Sequence, residues 1–244
     1  MVLTNTFNHV LVTGGAGFVG SQLVQRLIPI SAQITVIDDL STGRRDALPV
    51  ADNLYFIEQS YVDEALLDKV LPDVEVVFHL ACRNLVMSTH NTDDDFHVNL
   101  YGGYLLLKKV QERAGQLRRF IYSSTASVYG NAPVLPTPES YYDTTLPYSA
   151  SKLSTEHYCK VYNRLHQLPV SILRLSNVYG PGQVSSNPYC GVVAKFFEAI
   201  ERGEPLPVYG DGKQTRDFTY IEDAVNALIA AAVHPHAPGK VFNV

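Results

Sequence analysis

The chain has 244 residues, 46% of them hydrophobic and 18% charged, so it can bury a large core and disorder is excluded as its default state. A formal net charge of −5 with scattered basic residues excludes non-specific binding to nucleic acid or to an anionic membrane surface. No stretch approaches the ~20 apolar residues of a membrane span, and the amino terminus lacks a basic region with a long apolar core, so a cytoplasmic protein is expected.

Strand and helix signals alternate from the start. "HVLVTG" (9–14) is a short β-branched run, and "FVGSQLVQRLI" (18–28) carries apolar residues at helical spacing. Further strands are predicted over 33–38, 53–58 and 74–81, with a short helix over 63–71. "DDDFHVNLYGGYLLLKKVQERAG" (93–115) begins with acids and ends with basic residues and glycine, which suits the helix dipole and a glycine cap. "RRFIYSS" (118–124), a helix over 148–166 and a strand over 170–176 continue the alternation. This pattern predicts an α/β fold, a Rossmann-like doubly wound parallel sheet.

After residue 176 the chain becomes rich in turn formers. Helices are expected near 191–202 and over 221–233, and the chain stops at "GKVFNV", which reads as the start of a strand. We therefore expect a Rossmann domain over 1–176 and a smaller, interleaved, incomplete substrate-binding lobe over 177–244. Cys82, Cys159 and Cys190 have neither close spacing nor histidine at ligand distance, so no metal site and no disulfide framework is predicted.

"TGGAGFVG" (13–20) joins the first strand to the first helix. Gly14 suits a tight turn, Gly17 a close approach to a pyrophosphate, and Gly20 close packing of helix on sheet, while the amides at the helix start (Phe18, Val19) suit phosphate. Asp38, about 20 residues on, ends the second strand where a carboxylate accepts hydrogen bonds from ribose hydroxyls and repels a 2′-phosphate. NAD is favoured over NADP, although Arg44 and Arg45 stand close enough in sequence to offset that repulsion.

"YSASK" places Tyr148 and Lys152 at i and i+4 on one helical face. An ammonium beside a phenol favours the phenolate, and with an oxidised nicotinamide it would make tyrosine a base near neutral pH. Upstream, "SSTASVYG" (123–130) crowds hydroxyls at a strand end.

Together "TGGAGFVG", "FHLA", "SSTASVYG", "YSASK", "LRLSNVYGPGQ" and "GDGKQTRDFTYIEDAVNAL" resemble the extended short-chain dehydrogenase/reductases, specifically their nucleotide-sugar epimerase and dehydratase group. The resemblance implies an NAD-dependent enzyme that oxidises a sugar carbon to a transient keto-sugar, with NADH formed, and returns the hydride to the other face. It implies Tyr148 as base, Lys152 as the ribose-holding cation, and Thr125 as hydrogen-bond partner of the reacting oxygen. Asp39, Ser41, Thr42, Gly43, Leu80, Ala81, Asn99 and Ser123 are implied around the cofactor. Ser124, Asn177 and Arg216 are implied at a nucleotide-diphosphate sugar, and a homodimer is implied through the helices over 93–115 and 148–166. Ser60 and "CRNLVMS" (82–88) depart from the pattern, near adenine and nicotinamide respectively. Dehydratases of the group need acids beside the threonine and decarboxylases a glutamate two residues on; Ala126 and Ser127 stand there, which favours epimerisation, with the C4 position of a UDP-sugar expected. Elimination, decarboxylation, reduction and non-catalytic NAD binding are the alternatives.

Overall fold

A computed structural model describes residues 6–183, 191–208 and 210–244. Strand β1 (Phe7–Thr13) leads through the glycine loop into α1 (Phe18–Leu27), and β2 (Ser31–Asp38), β3 (Leu54–Glu58), α2 (Glu64–Val70) and β4 (Val76–His79) follow. Two short helices, α3 (Leu85–His90) and α4 (Thr92–Asp95), precede α5 (Gly102–Arg113); then come β5 (Arg119–Thr125), α6 (Pro147–His166), β6 (Val170–Leu175) and β7 (Asn177–Tyr179). The chain closes with α7 (Val192–Arg202), β8 (Phe218–Tyr220), α8 (Ile221–Val233) and β9 (Val241–Asn243).

Seven strands pair in the order β3-β2-β1-β4-β5-β6-β9, every pair parallel. Helices cover both faces, which is why β4 is buried at all four positions, three of them apolar and the fourth His79. One face packs Val10, Val12, Val36 and Phe78 against Leu23, Val24 and Leu27 of α1 and Val225 and Leu228 of α8. The other packs Leu11, Val77, Phe120 and Tyr122 against Leu67 of α2, Leu106 and Val110 of α5 and Cys159 of α6.

The region expected to form a second lobe divides. α8 and β9 return to the main layers, β9 pairing with β6 through Ile172 and Val241. β7 and β8 form a separate two-stranded parallel sheet, with Asn177 opposite Phe218. The helix predicted over 93–115 is broken: residues Phe96–Tyr101 form a π-helical turn between α4 and α5.

Candidate active site

The glycine loop is built as its residues require. Gly14 has φ +73°, and a Cβ there would lie 2.5 Å from the Ala81 nitrogen; at Gly20 a Cβ would lie 2.2 Å from the Gly14 carbonyl oxygen. α1 starts after Gly17 with no side-chain cap, leaving the amides of Phe18 and Val19 without helical partners, while Ser21 already donates to the Gly17 carbonyl. Asp38, at the carboxyl end of β2, folds back on this loop: its Oδ2 accepts from the Ala16 amide at 2.9 Å and its Oδ1 from the Leu40 amide at 2.9 Å. Burial raises its pKa, and those two amides counter the rise.

Gly14, Gly17, Asp38, Asp39, Ser41, Thr42, Leu80 and Ala81 meet around a cleft of about 150 Å³ at the carboxyl ends of β1, β2 and β4. Gly43 abuts Asp38 from the side. Arg44 is turned into an exposed ion pair with Asp46 (2.5 Å), and the guanidinium of Arg45 stacks 4.7 Å from the Phe56 ring centre, so neither lines the cleft. Ser60 and Tyr61 complete the wall.

On the neighbouring side, β5 ends at Thr125, whose hydroxyl accepts from the Ser127 amide and donates to Ser127 Oγ, both at 3.1 Å. Pro147 starts α6, and Ser149 Oγ accepts from the Leu146 amide at 3.3 Å, fixing the first helical turn. That turn presents Tyr148, with Thr125 and Cys82 close enough to act on its phenol. Burial pushes the Tyr148 pKa up, Cys82 adds to the rise, and of the dominant influences only the Thr125 hydrogen bond lowers it. The residues of the chain therefore hold Tyr148 protonated, and the depressed value expected of it rests on an oxidised nicotinamide as well as on Lys152. Lys152 is buried, its Nζ 4.6 Å from the Tyr122 ring centre, and burial lowers its pKa.

Two of the predicted site residues are held in internal hydrogen-bond networks. Ser124 points to the opposite face of β5 and donates to Glu156 Oε1 at 2.5 Å; it is buried in a network rather than open to a ligand. Asn99, in the π-helical turn, donates to the Arg83 carbonyl (2.9 Å) and to Asp95 Oδ1 (2.5 Å) and accepts from the Arg83 amide (2.7 Å). Its amide is committed to pinning the 82–84 loop, and its own carbonyl accepts from Thr155 at 3.0 Å. Ser123 shares the parity of Thr125 on β5 and is half-buried. Asn177 and Arg216 are both exposed at the start of the small sheet, Asn177 Nδ2 donating to the Asp217 carbonyl at 2.8 Å and Arg216 to the Thr215 carbonyl at 2.8 Å.

Other residues at the site carry weak sequence signals. Cys82 is the first, in a segment that stood out only as a departure. His79 is buried between Tyr61 and Tyr122, bonds through Nδ1 to the Thr13 hydroxyl at 2.7 Å, and has its pKa pushed down to about 3 by burial and then by Lys152. Asp95 accepts from Ser88 (2.5 Å), Asn99 and Ser151. A larger hollow, about 440 Å³, lies between the loop after β7 and α7, and none of the predicted site residues lines it. Cys190 lies outside the described residues; Cys82 and Cys159 are unpaired thiols, and no group of metal-ligating side chains occurs among the described residues. No described helix is long and apolar enough to cross a membrane.

The profile of the NAD-dependent epimerase/dehydratase family matches residues 10–244. The chain belongs to this family. It is 37% identical over 243 residues to the UDP-glucose 4-epimerase of Mycolicibacterium smegmatis, covering 96% of this chain and 76% of that protein. It is 34% identical to the UDP-N-acetyl-alpha-D-glucosaminuronate decarboxylase of Bacillus cytotoxicus, covering 96% of this chain and 74% of that protein. Among solved structures, the UDP-N-acetylglucosamine 4-epimerase of Methanobrevibacter ruminantium, in complex with UDP-N-acetylmuramic acid, superposes with a TM-score of 0.92 at 35% identity, covering 99% of this chain and 76% of that one. The family cofactor, NAD, fits what the cleft offers: a cradle at Gly14 and Gly20 that a Cβ would fill, unpaired helix amides, and a carboxylate at Asp38 on the cleft wall.

Proposed function

We propose that this enzyme is a nucleotide-sugar epimerase inverting C4 of a UDP-sugar. The observation that carries the reading is the make-up of the ground around Thr125 and Tyr148. Ala126 has no titratable group and Ser127 is hydrogen-bonded to Thr125. Two buried acids of the surrounding network are tied up, Asp95 by Ser88, Asn99 and Ser151, and Glu156 by Ser124 and Arg174. Elimination needs an acid and a base free to move protons at the neighbouring carbon, and neither Ala126 nor Ser127, next to Thr125, supplies one.

The cleft residues Gly14, Gly17 and Asp38 would hold NAD, which would supply a reversible hydride acceptor for the sugar carbon. Tyr148 takes the proton of the sugar hydroxyl as the carbon is oxidised and gives it back on reduction. Thr125 donates to the reacting oxygen and aligns it with the phenol. Lys152, i+4 from Tyr148 on α6, holds the ribose and supplies positive charge beneath the site. Asn177 and Arg216, side by side at the small sheet, suit the diphosphate of the substrate, arginine through its fork of donors. Tyr101 at the end of the π-helical turn and Tyr158, Val161 and Leu165 on α6 are exposed, which supports a homodimer through this face, and the chain is read as cytoplasmic.

Incubation with a panel of UDP-, GDP- and dTDP-sugars tests the reading. A 4-epimer formed without net NADH is expected; accumulation of NADH, release of carbon dioxide or a 6-deoxy-4-keto product would overturn it.

A further inference from the structure

The 38–42 loop and the 82–84 loop form opposite sides of the cofactor cleft, and one side chain ties them. Arg83 Nη1 donates to Asp39 Oδ2 at 3.0 Å and to Ser41 Oγ at 2.6 Å, and its Nε donates to Asp94 Oδ2 on α4 at 2.7 Å. The Arg83 side chain is only 15% exposed, against 30% for Asp39 and 34% for Asp94, so both ion pairs are shielded from solvent on the arginine side. The backbone from which it springs is fixed, because Asn99 brackets the Arg83 amide and carbonyl. Asp39, Ser41 and Arg83 all line the cleft, next to Asp38; Asp94 does not.

We propose that Arg83 is a clasp on the adenosine half of NAD, setting how slowly the cofactor leaves. A dinucleotide anchored at Asp38 and the glycine loop lies between the two loops that Arg83 joins. Asp94 aims the guanidinium across the cleft; Asp39 and Ser41 receive it. The cleft opens when the Asp39 and Ser41 contacts part, and Arg83 stays anchored at Asp94 while they do. Both pairs are charge-assisted hydrogen bonds of good length, and a shielded pair is weakened less by salt than an exposed one but is still weakened.

A competing role for the same residue is direct contact with the cofactor phosphates, and the two roles diverge when a carboxylate is removed. If Arg83 simply binds phosphate, neutralising Asp94 or Asp39 frees its charge for the ligand and slows release. If it is a clasp, neutralising either one loosens the closure and speeds release.

The measurement is the dissociation rate of radiolabelled NAD⁺ from the loaded protein, chased with unlabelled NAD⁺, at low and high salt. Arg83→Ala is expected to release the label at least tenfold faster than the unsubstituted protein and to lose the salt dependence. Asp94→Asn, which leaves every cleft-lining residue in place, is expected to release it at least threefold faster. A release rate for Asp94→Asn less than threefold faster than, equal to or slower than that of the unsubstituted protein overturns the clasp. No sugar substrate is involved, so the result stands apart from the assignment of the reaction.

Discussion

Arg174 and Glu156 meet in a two-pronged ion pair, Nε to Oε1 at 2.9 Å and Nη2 to Oε2 at 2.7 Å, with side chains 1% and 0% exposed. The pair also takes the Ser124 hydroxyl from β5, while Arg174 donates to the Tyr129 hydroxyl at 2.8 Å and to the Glu139 carbonyl at 2.9 Å. Tyr129 donates onward to Asn243 of β9. The strand that carries Thr125 is thus bolted to α6, β6 and β9 by one buried network. Removing one partner leaves the other charge buried and unpaired, so Arg174→Leu should cost about 3–5 kcal/mol. Urea denaturation monitored by circular dichroism checks this, and the double variant Glu156→Leu/Arg174→Leu should recover much of the loss.

Replacing Tyr148 by phenylalanine removes the proton acceptor and leaves the cleft walls untouched. Turnover should fall about 10²- to 10⁴-fold. NAD content after purification, measured by absorbance of the denatured supernatant, should stay unchanged.

The opposed pull of Cys82 and Thr125 on the phenol gives a pH prediction with two signs. Tyr148 works as a base once the positive charge of bound oxidised nicotinamide offsets the rise that the chain alone imposes, so activity rises as pH passes upward through its pKa in the NAD-loaded enzyme. Cys82 favours the protonated phenol; Cys82→Ala should move the acidic limb of the kcat profile to lower pH. Thr125 favours the phenolate, so Thr125→Ala should move the limb to higher pH, besides lowering the maximum. Rates measured from pH 5 to 10 on both variants decide it.

His79 predicts acid sensitivity. Folding keeps it neutral down to about pH 3, whereas the unfolded chain takes up a proton near 6.5. The unfolded state therefore binds more protons between those values, and stability falls as pH drops through that window. At pH 5 the loss from this group alone is about 2 kcal/mol, from 1.36 kcal/mol per unit of pKa. His79→Gln should flatten the slope of unfolding free energy against pH in that window.

Gly20→Ala tests the cradle. The new Cβ would strike the Gly14 carbonyl oxygen, and backbone cannot give way as a side-chain tip does. A loss of about 1–3 kcal/mol is expected, with reduced NAD retained on gel filtration.

The main sheet, both helical layers and the glycine loop were legible in sequence because each rests on local spacing: period-2 or continuous apolar strands, a helical stripe, and an acid at the end of β2. Tyr148 and Lys152 were legible for the same reason, being one helical turn apart. The burial of Ser124 against Glu156 follows from a clue in the sequence, since it has the opposite strand parity to Ser123 and Thr125. Asn99 was found but its partners were not, because a π-helical turn cannot be read from an apolar stripe. Cys82 and Arg83 had no local pattern at all; they act only through residues up to 66 positions away that the fold brings to them. The return of α8 and β9 to the main sheet rests on pairing across the whole chain, which spacing does not encode.

The π-helical turn at Phe96–Tyr101 amounts to one extra residue spliced into an otherwise continuous helix. Each residue in a helix turns the chain by about 100°, so this one sets the rotational phase of all of α5. In that phase Gly102 faces Tyr61 and Gly103 faces Thr155, both at distances that leave no room for a Cβ. Deleting any single residue from the turn would spin the glycines off their neighbours and swing bulkier side chains into α6 and the cleft wall. The segment should therefore tolerate exchange of residues far better than any change in their number.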